Sequence, residues 1–325
     1  MNALITGGGG FLGSQLAVAL LRNSSIGGGR GLSSLTLADL HFSQPPPAGG
    51  AVAVEAVTGD LGDPDFVGRL IRPDTGLIFH LAAMVSGDGE RDFDGCLRTN
   101  LDGTRALLEQ ARRTGRCPRM VFASSLAVFG GHAMEPVVSD RTKPIPQTTY
   151  GMTKLIGELL INDYSRKGFV DGRAARLPTV FIRPGRPNAA ASSFASALFR
   201  EPLAGRTCLL PVSRSQRVPL LGYRRVVANL IRLADCEADR FGSDRTVTLP
   251  STPYEIAEMI TALERVAARR QLRLGPIVDQ PDERIMKIVQ GWPVATDATR
   301  VEGLGLESDP SVEQVIEEYI EDFGG

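Results

Sequence analysis

Asn2-Ala3-Leu4-Ile5-Thr6-Gly7-Gly8-Gly9-Gly10-Phe11-Leu12-Gly13 is the stretch that decides the fold. Its first five residues read as a short apolar strand, and Leu16, Ala17, Leu20 and Leu21 follow the glycines at helical spacing. A strand, a glycine turn and a helix give the spacing Gly7-x-x-Gly10-x-x-Gly13 its meaning. Glycines tolerate positive φ in the tight turn and let backbone approach a diphosphate. The unpaired N–H groups and positive dipole end of the new helix then favour that anion. Gly7, Gly10, Phe11, Leu12 and Gly13 are therefore candidate dinucleotide-binding residues.

Moving outward, Ser24 to Ser34 is rich in glycine and serine and reads as a surface loop. Leu35-Thr36-Leu37-Ala38-Asp39 is a second strand ending in an acid. A carboxylate there accepts ribose hydroxyls and repels a 2′-phosphate, so NAD is expected rather than NADP. A third strand over Ala51–Val57 leads to Asp60, and Leu77–Leu81 is a fourth that opens into Ala82, Ala83 and Ser86. A helix is expected from about Arg91 to Thr114, with Asn100 among its apolar positions. Met120–Ala123 is a fifth strand, which delivers Ser124 and Ser125 to its end.

Strands alternating with helices imply right-handed crossovers and a parallel sheet covered on both faces. Ligand then sits at the carboxyl ends of the strands. The expected architecture is α/β: a Rossmann-type doubly wound parallel sheet over residues 1–184, with a smaller α+β substrate domain over 185–325. A sixth strand is expected over Ala174–Arg183. A helix near 222–238 and a strand near 245–249 are expected to return to the first domain, so the two are interleaved. Further helices are expected over Ser192–Arg200, Tyr254–Arg269 and Ser311–Phe323, the last opening at Asp309-Pro310.

Against that frame, Tyr150-Gly151-Met152-Thr153-Lys154 becomes chemically informative. Pro144 and Pro146 resist helix and Thr148 or Thr149 can cap one, so a helix should begin near Tyr150. Positions four apart share a helix face, which points the Tyr150 hydroxyl and the Lys154 ammonium at one spot. A cation beside a phenol lowers its pKa from ~10 and makes it a usable acid/base.

Composition narrows the classes. The chain has 325 residues, 22% of them charged and 42% hydrophobic, with a formal net charge of −1. That balance supplies no drive toward nucleic acid or an anionic membrane. No apolar run approaches the ~20 residues of a membrane span, and no signal-peptide pattern precedes the glycines. Cys96, Cys117, Cys208 and Cys236 are widely spaced, as in a cytoplasmic protein, and no metal site is expected. His80, inside an apolar run, reads as a core or strand-end residue.

Read together and in order, these motifs resemble an extended short-chain dehydrogenase/reductase of the NAD-dependent epimerase/dehydratase kind. The resemblance is carried by the glycine turn, Asp60-Leu61, His80-Leu81-Ala82-Ala83, Asn100-Leu101-Asp102-Gly103-Thr104, Ser124-Ser125-Leu126-Ala127-Val128-Phe129-Gly130 and the Tyr150 to Lys154 segment. It implies Ser125, Tyr150 and Lys154 as the catalytic set. It also implies cofactor contacts from Leu61, Leu81, Ala82, Ala83 and Asn100, with Pro184 near the nicotinamide. Phe129 stands where epimerases usually carry tyrosine, and Gln216–Tyr223 lacks the usual paired aspartates. The wording around Met84–Asp94 and Ile182–Asn188 is similar to members that oxidise a small sugar acid with NAD.

On that reading Tyr150 takes the hydroxyl proton, Lys154 holds down its pKa and binds ribose, and Ser125 steadies the substrate oxygen. Arg217 is the first choice to clamp a carboxylate, with Arg183 and Arg186 as alternatives; Ser86 and Asn188 are further substrate candidates. Rival readings are a sugar-nucleotide epimerase or dehydratase and a non-catalytic NAD sensor. The helix after Tyr150 is apolar nearly all round, so a homodimer through four helices, paired with the Arg91–Thr114 helix, is expected.

Overall fold

Short apolar runs such as Ala3–Ile5 and Met120–Ala123 are hydrophobic on both faces, and a parallel sheet with helices on either side is the layer arrangement that buries both. A computed structural model of the chain describes residues 1–22, 26, 31–132, 134–185 and 192–324. Its main sheet is parallel and holds β1 (Asn2–Thr6), β2 (Ser34–Asp39), β3 (Ala53–Thr58), β4 (Thr75–His80), β5 (Arg119–Ser125), β6 (Asp171–Leu177) and β7 (Thr246–Thr248). Their order across the sheet is β7-β6-β5-β4-β1-β2-β3. The order reverses between β1 and β4, and a crevice opens outside the carboxyl ends of the strands at such a reversal.

One face of the sheet is covered by α1 (Phe11–Arg22) and, from late in the chain, the helix Tyr223–Asp235. Leu16, Leu20, Val226, Leu230 and Leu233 are fully buried there against Ile5, Leu37 and Val121. The other face is covered by α2 (Gly103–Thr114) and α3 (Thr149–Arg166). Leu107, Leu108, Ala111 and Ile161 bury against Leu4, Ile78, Met120 and Phe122. A separate apolar cluster holds the later segments together: Leu198 and Phe199 of α4 (Ser193–Leu203) pack with Leu220, Met259, Leu263, Val315 and Ile316.

Three elements differ from the sequence expectation. The expected strand Ala174–Arg183 is two strands, because β6 ends at Leu177 and Pro178 has no N–H to continue the ladder. Thr179–Phe181 instead pairs in parallel with Leu220–Gly222, in a three-stranded sheet completed by Thr252–Glu255. The expected helix Arg91–Thr114 is broken into Phe93–Cys96, a π-helical stretch Leu97–Asp102 and α2, with a separate short helix Ser86–Arg91 before it. The Asp92 side chain accepts from Gly95 N and restarts the helix, and the wider turn carries Asn100 inward. The last helix, Val312–Phe323, is capped by Ser311 accepting from Gln314 N, not by Asp309; the Asp309 carboxylate accepts from Gly222 N.

His80 ends β4 fully buried, with Nδ1 2.7 Å from Thr6 Oγ1 and Nε2 2.8 Å from Thr104 Oγ1. Burial, and secondarily the Lys154 charge, hold its pKa down at about 3. The ring is neutral in the fold but charges near 6.5 when unfolded. Because the unfolded chain takes the proton first, this contribution is complete above about pH 6.5 and is lost as pH falls toward the folded value. Between about pH 6 and 4, urea unfolding is expected to show ~1.4 kcal/mol per pH unit more destabilisation in the wild type than in His80→Gln. Equal slopes in the two proteins would assign the acid sensitivity to other groups.

Candidate active site

The glycine turn is built for close approach. Gly7 has φ of 75°, and a Cβ there would lie 2.7 Å from Ala82 N. A Cβ on Gly13 would lie 2.0 Å from Gly7 O, so any side chain would push α1 off β1. Asp39, at the end of the neighbouring strand, accepts from Gly9 N at 2.9 Å and Leu40 N at 2.7 Å. Each oxygen keeps a second lone pair for a ribose hydroxyl.

From this turn a cavity of about 780 Å³ runs across the strand ends. Its wall includes Gly7, Gly10, Phe11, Leu12, Gly13, Asp39, Asp60, Leu61, Leu81, Ala82 and Ala83 at one end. Ser86, Ser125, Tyr150, Lys154, Arg183 and Pro184 line the other. A narrow backbone cradle, an acid at the second strand and an apolar slot beyond them fit NAD. When bound, NAD supplies a nicotinamide that accepts hydride.

Helix α3 positions the catalytic candidates. Thr148 Oγ1 accepts from Gly151 N at 3.0 Å and fixes the first turn. Tyr150, Lys154 and Glu158 then fall four apart on the face toward β5. Lys154 Nζ donates to Ala123 O at 2.8 Å, and Ser124 Oγ donates to Glu158. Arg176 of β6 closes on the same carboxylate through Nε at 2.9 Å and Nη2 at 2.7 Å. Ser125 accepts from Ala127 N at 3.1 Å, and its hydroxyl acts on that of Tyr150.

The electrostatics differ from the sequence argument. The Lys154 ammonium sits 5.7 Å from the centre of the Tyr150 ring and 4.7 Å from that of Phe122. Burial pulls its pKa down to about 7, with Cys96 and Glu158 acting the other way. Burial also pushes the Tyr150 hydroxyl above its usual value, opposed by the Ser125 hydrogen bond and the Arg183 charge. Among the protein's own groups, Arg183 thus joins the cations that favour phenolate. The four-residue spacing brought the lysine near, but its nitrogen turned to the strand carbonyl.

Two other candidates also stand elsewhere than expected. Asn100 lies behind the wall: its Oδ1 accepts from Met84 N at 2.8 Å, while Nδ2 donates to Met84 O and to Thr153 Oγ1. It shapes the loop after β4 rather than facing the cavity. Arg217 is at the far end of its strand, its side chain 49% exposed and 3.8 Å from Glu255, outside the wall. Asn188, like Arg186, lies outside the described residues. Sequence reasoning missed Arg200, Ser192, Ser196 and Trp292, all of which line the cavity.

Residues 3–239 match the NAD dependent epimerase/dehydratase family. The chain belongs to that family. It is 47% identical to a D-erythronate dehydrogenase of Cupriavidus necator, over 100% of this chain and 99% of that protein. It is 40% identical to a D-erythronate dehydrogenase of Haemophilus influenzae, over 99% of each. Among solved structures, one described as a nucleoside-diphosphate-sugar epimerase from Agrobacterium tumefaciens superposes with a TM-score of 0.92 at 40% identity, covering 100% of this chain and 95% of that one. As a member of this family the protein takes NAD as cofactor.

Two substitutions test the cradle. Gly13→Ala is expected to weaken NADH about tenfold or more by fluorescence titration, a cost of at least ~1.4 kcal/mol. Asp39→Ala is expected to cut the preference for NAD over NADP about tenfold in steady-state assays; an unchanged ratio would remove Asp39 from the ribose site.

Proposed function

We propose that this protein oxidises D-erythronate at C2 with NAD, giving 2-dehydro-D-erythronate. The observation that carries the reading is full-length identity of 47% to a D-erythronate dehydrogenase. The grouping of Ser125, Tyr150 and Lys154 on one cavity wall supports it.

In this mechanism the C2 hydroxyl loses its proton to the Tyr150 phenolate, and NAD, held along the glycine turn, Asp39 and Pro184, would supply the acceptor for the C2 hydride. Ser125 hydrogen-bonds the substrate oxygen as it becomes a carbonyl, holding it within reach of Tyr150. Arg183 favours the phenolate, and Lys154, which anchors the helix, would also hold the cofactor's ribose. A positioned base of this kind contributes roughly 10²–10⁴ in rate. Arg183, on the wall beside Tyr150, takes over from Arg217 as the cation nearest a substrate carboxylate.

A second reading, an epimerase or dehydratase of nucleotide sugars, is favoured by the name of the Agrobacterium structure. The two differ in whether NADH accumulates. With D-erythronate and NAD, absorbance of NADH is expected to rise; nucleotide sugars are expected to give none and to remain unconverted. Epimerisation of a nucleotide sugar without NADH release would reverse the assignment. Tyr150→Phe is expected to lower kcat at least about 10³-fold with NADH affinity within about twofold of wild type; near-normal turnover would reject Tyr150 as the base.

Assembly and location belong to the same proposal. Leu159 of α3 is 60% exposed, and Phe93 and Phe169 are also exposed, an apolar set suited to a two-fold pairing of helices. The homodimer is expected as twice the chain mass by light scattering at micromolar concentration. All four cysteines are free, as suits a reducing cytoplasm. Among the described residues, no helix is long and apolar enough to cross a membrane.

A further inference from the structure

We propose that Arg200 and Arg183 together form the substrate's carboxylate site, with the unpaired Nη2 of Arg200 as its second donor. This rests on the reading of the protein as a 2-hydroxy-acid dehydrogenase and gives the acid end of that substrate a location.

Arg200 is 4% exposed and reaches the cavity wall from α4. Its Nε donates to Glu201 at 2.8 Å and its Nη1 to Arg183 O at 3.0 Å. Its Nη2 is buried with no hydrogen-bond partner among the described residues. A buried guanidinium nitrogen left without an acceptor is costly, so this donor favours an acceptor that reaches it from the adjoining cavity.

The charge balance points the same way. Glu201 is shared, since its other oxygen accepts from Arg206 Nε at 2.7 Å. Among the described residues, Tyr150 and Arg200 are the ionisable groups that act on the buried Arg183. The sequence from 186 to 191, Arg-Pro-Asn-Ala-Ala-Ala, adds no acid. Arg200 therefore shares its one carboxylate with the exposed Arg206, and Arg183 lies beside Arg200 with no ion pair among the described residues. An anion from solution completes the set, and two convergent guanidiniums suit the planar oxygens of a carboxylate.

The geometry of α4 makes the pair one unit. Ser192, Ser196 and Arg200 are four apart and share a face. Ser196 Oγ accepts from Arg183 N at 3.1 Å, and Ser192 Oγ takes Arg183 Nη2 at 3.4 Å. The helix thus grips residue 183 by backbone and side chain. In a 2-hydroxy acid, the carbon to be oxidised is bonded directly to the carboxylate carbon. Holding the acid beside Arg183, whose charge acts on Tyr150, brings that carbon's hydroxyl to the base. Arg217, outside the wall, cannot do this.

The test uses the full-length enzyme with D-erythronate and with D-erythronamide, at saturating NAD, in Arg200→Gln, Arg200→Lys and Arg217→Gln. Loss of a charge-assisted fork is expected to raise KM for D-erythronate roughly 10–100-fold in both Arg200 variants. NADH affinity should hold, and kcat/KM should fall at least about tenfold more for the acid than for the amide. Equal losses on acid and amide would make Arg200 purely structural and overturn the proposal. So would a large KM increase in Arg217→Gln with little in the Arg200 variants. Calorimetric titration of D-glycerate into the enzyme–NADH complex separates this inference from the substrate reading. If wild type fails to oxidise D-erythronate but binds D-glycerate in an Arg200-dependent way, the carboxylate site stands and the substrate assignment falls. Binding of D-glycerate that survives both Arg200 substitutions overturns the site whatever the turnover.

Discussion

The hydrogen bond from Lys154 Nζ to Ala123 O is the contact on which the arrangement of the site depends. It ties the first turns of α3 to the end of β5, the strand that delivers Ser125. One turn further on, Glu158 repeats the attachment through Ser124 and the Arg176 fork. Two polar pins four residues apart fix both the rotation and the slide of the helix on the sheet. A bond of this charge-assisted kind contributes about 1.5–3 kcal/mol, but its larger effect is to place Tyr150 opposite Ser125.

That attachment has an electrostatic cost. Enclosing the ammonium brings its pKa to about 7, while enclosing the phenol drives Tyr150 upward. Desolvation outweighs the mutual help that two neighbouring opposite charges give in water. The burden of favouring phenolate falls on Ser125 and Arg183, which reach Tyr150 from β5 and from the segment after Thr179–Phe181. The site is thus assembled from both layers of the protein, and residue 183 belongs to the electrostatics as much as to the wall.

Much of this was legible in the sequence because it is local. The strand, glycine turn and helix at residues 2–22, the acid ending β2 and the tyrosine-lysine helix each announce themselves through spacing and turn chemistry. Pro178 also carried its signal, since a residue without an N–H cannot continue a central ladder. The π-helical stretch was hidden, because Leu97 and Leu101 satisfy an ordinary helix period equally well. The arginines were the least readable: a long stem lets a guanidinium reach in many directions, and spacing does not choose among Arg183, Arg200 and Arg217. One sign was available for Arg200. Ser192, Ser196 and Arg200 make a polar stripe beside Phe194, Leu198 and Phe199, which is unusual in a helix this deeply buried.

The near-neutral pKa of Lys154 joins the occupancy of the cleft to the acidity of the medium. Close to pH 7 this lysine is divided between its two protonation states. A guest oxygen that accepts from it favours the ammonium, so entry of such a guest draws a proton from the buffer. By reciprocity, alkaline conditions that strip the proton loosen the guest's hold. The enclosure that orients the helix also makes proton uptake part of filling the cleft.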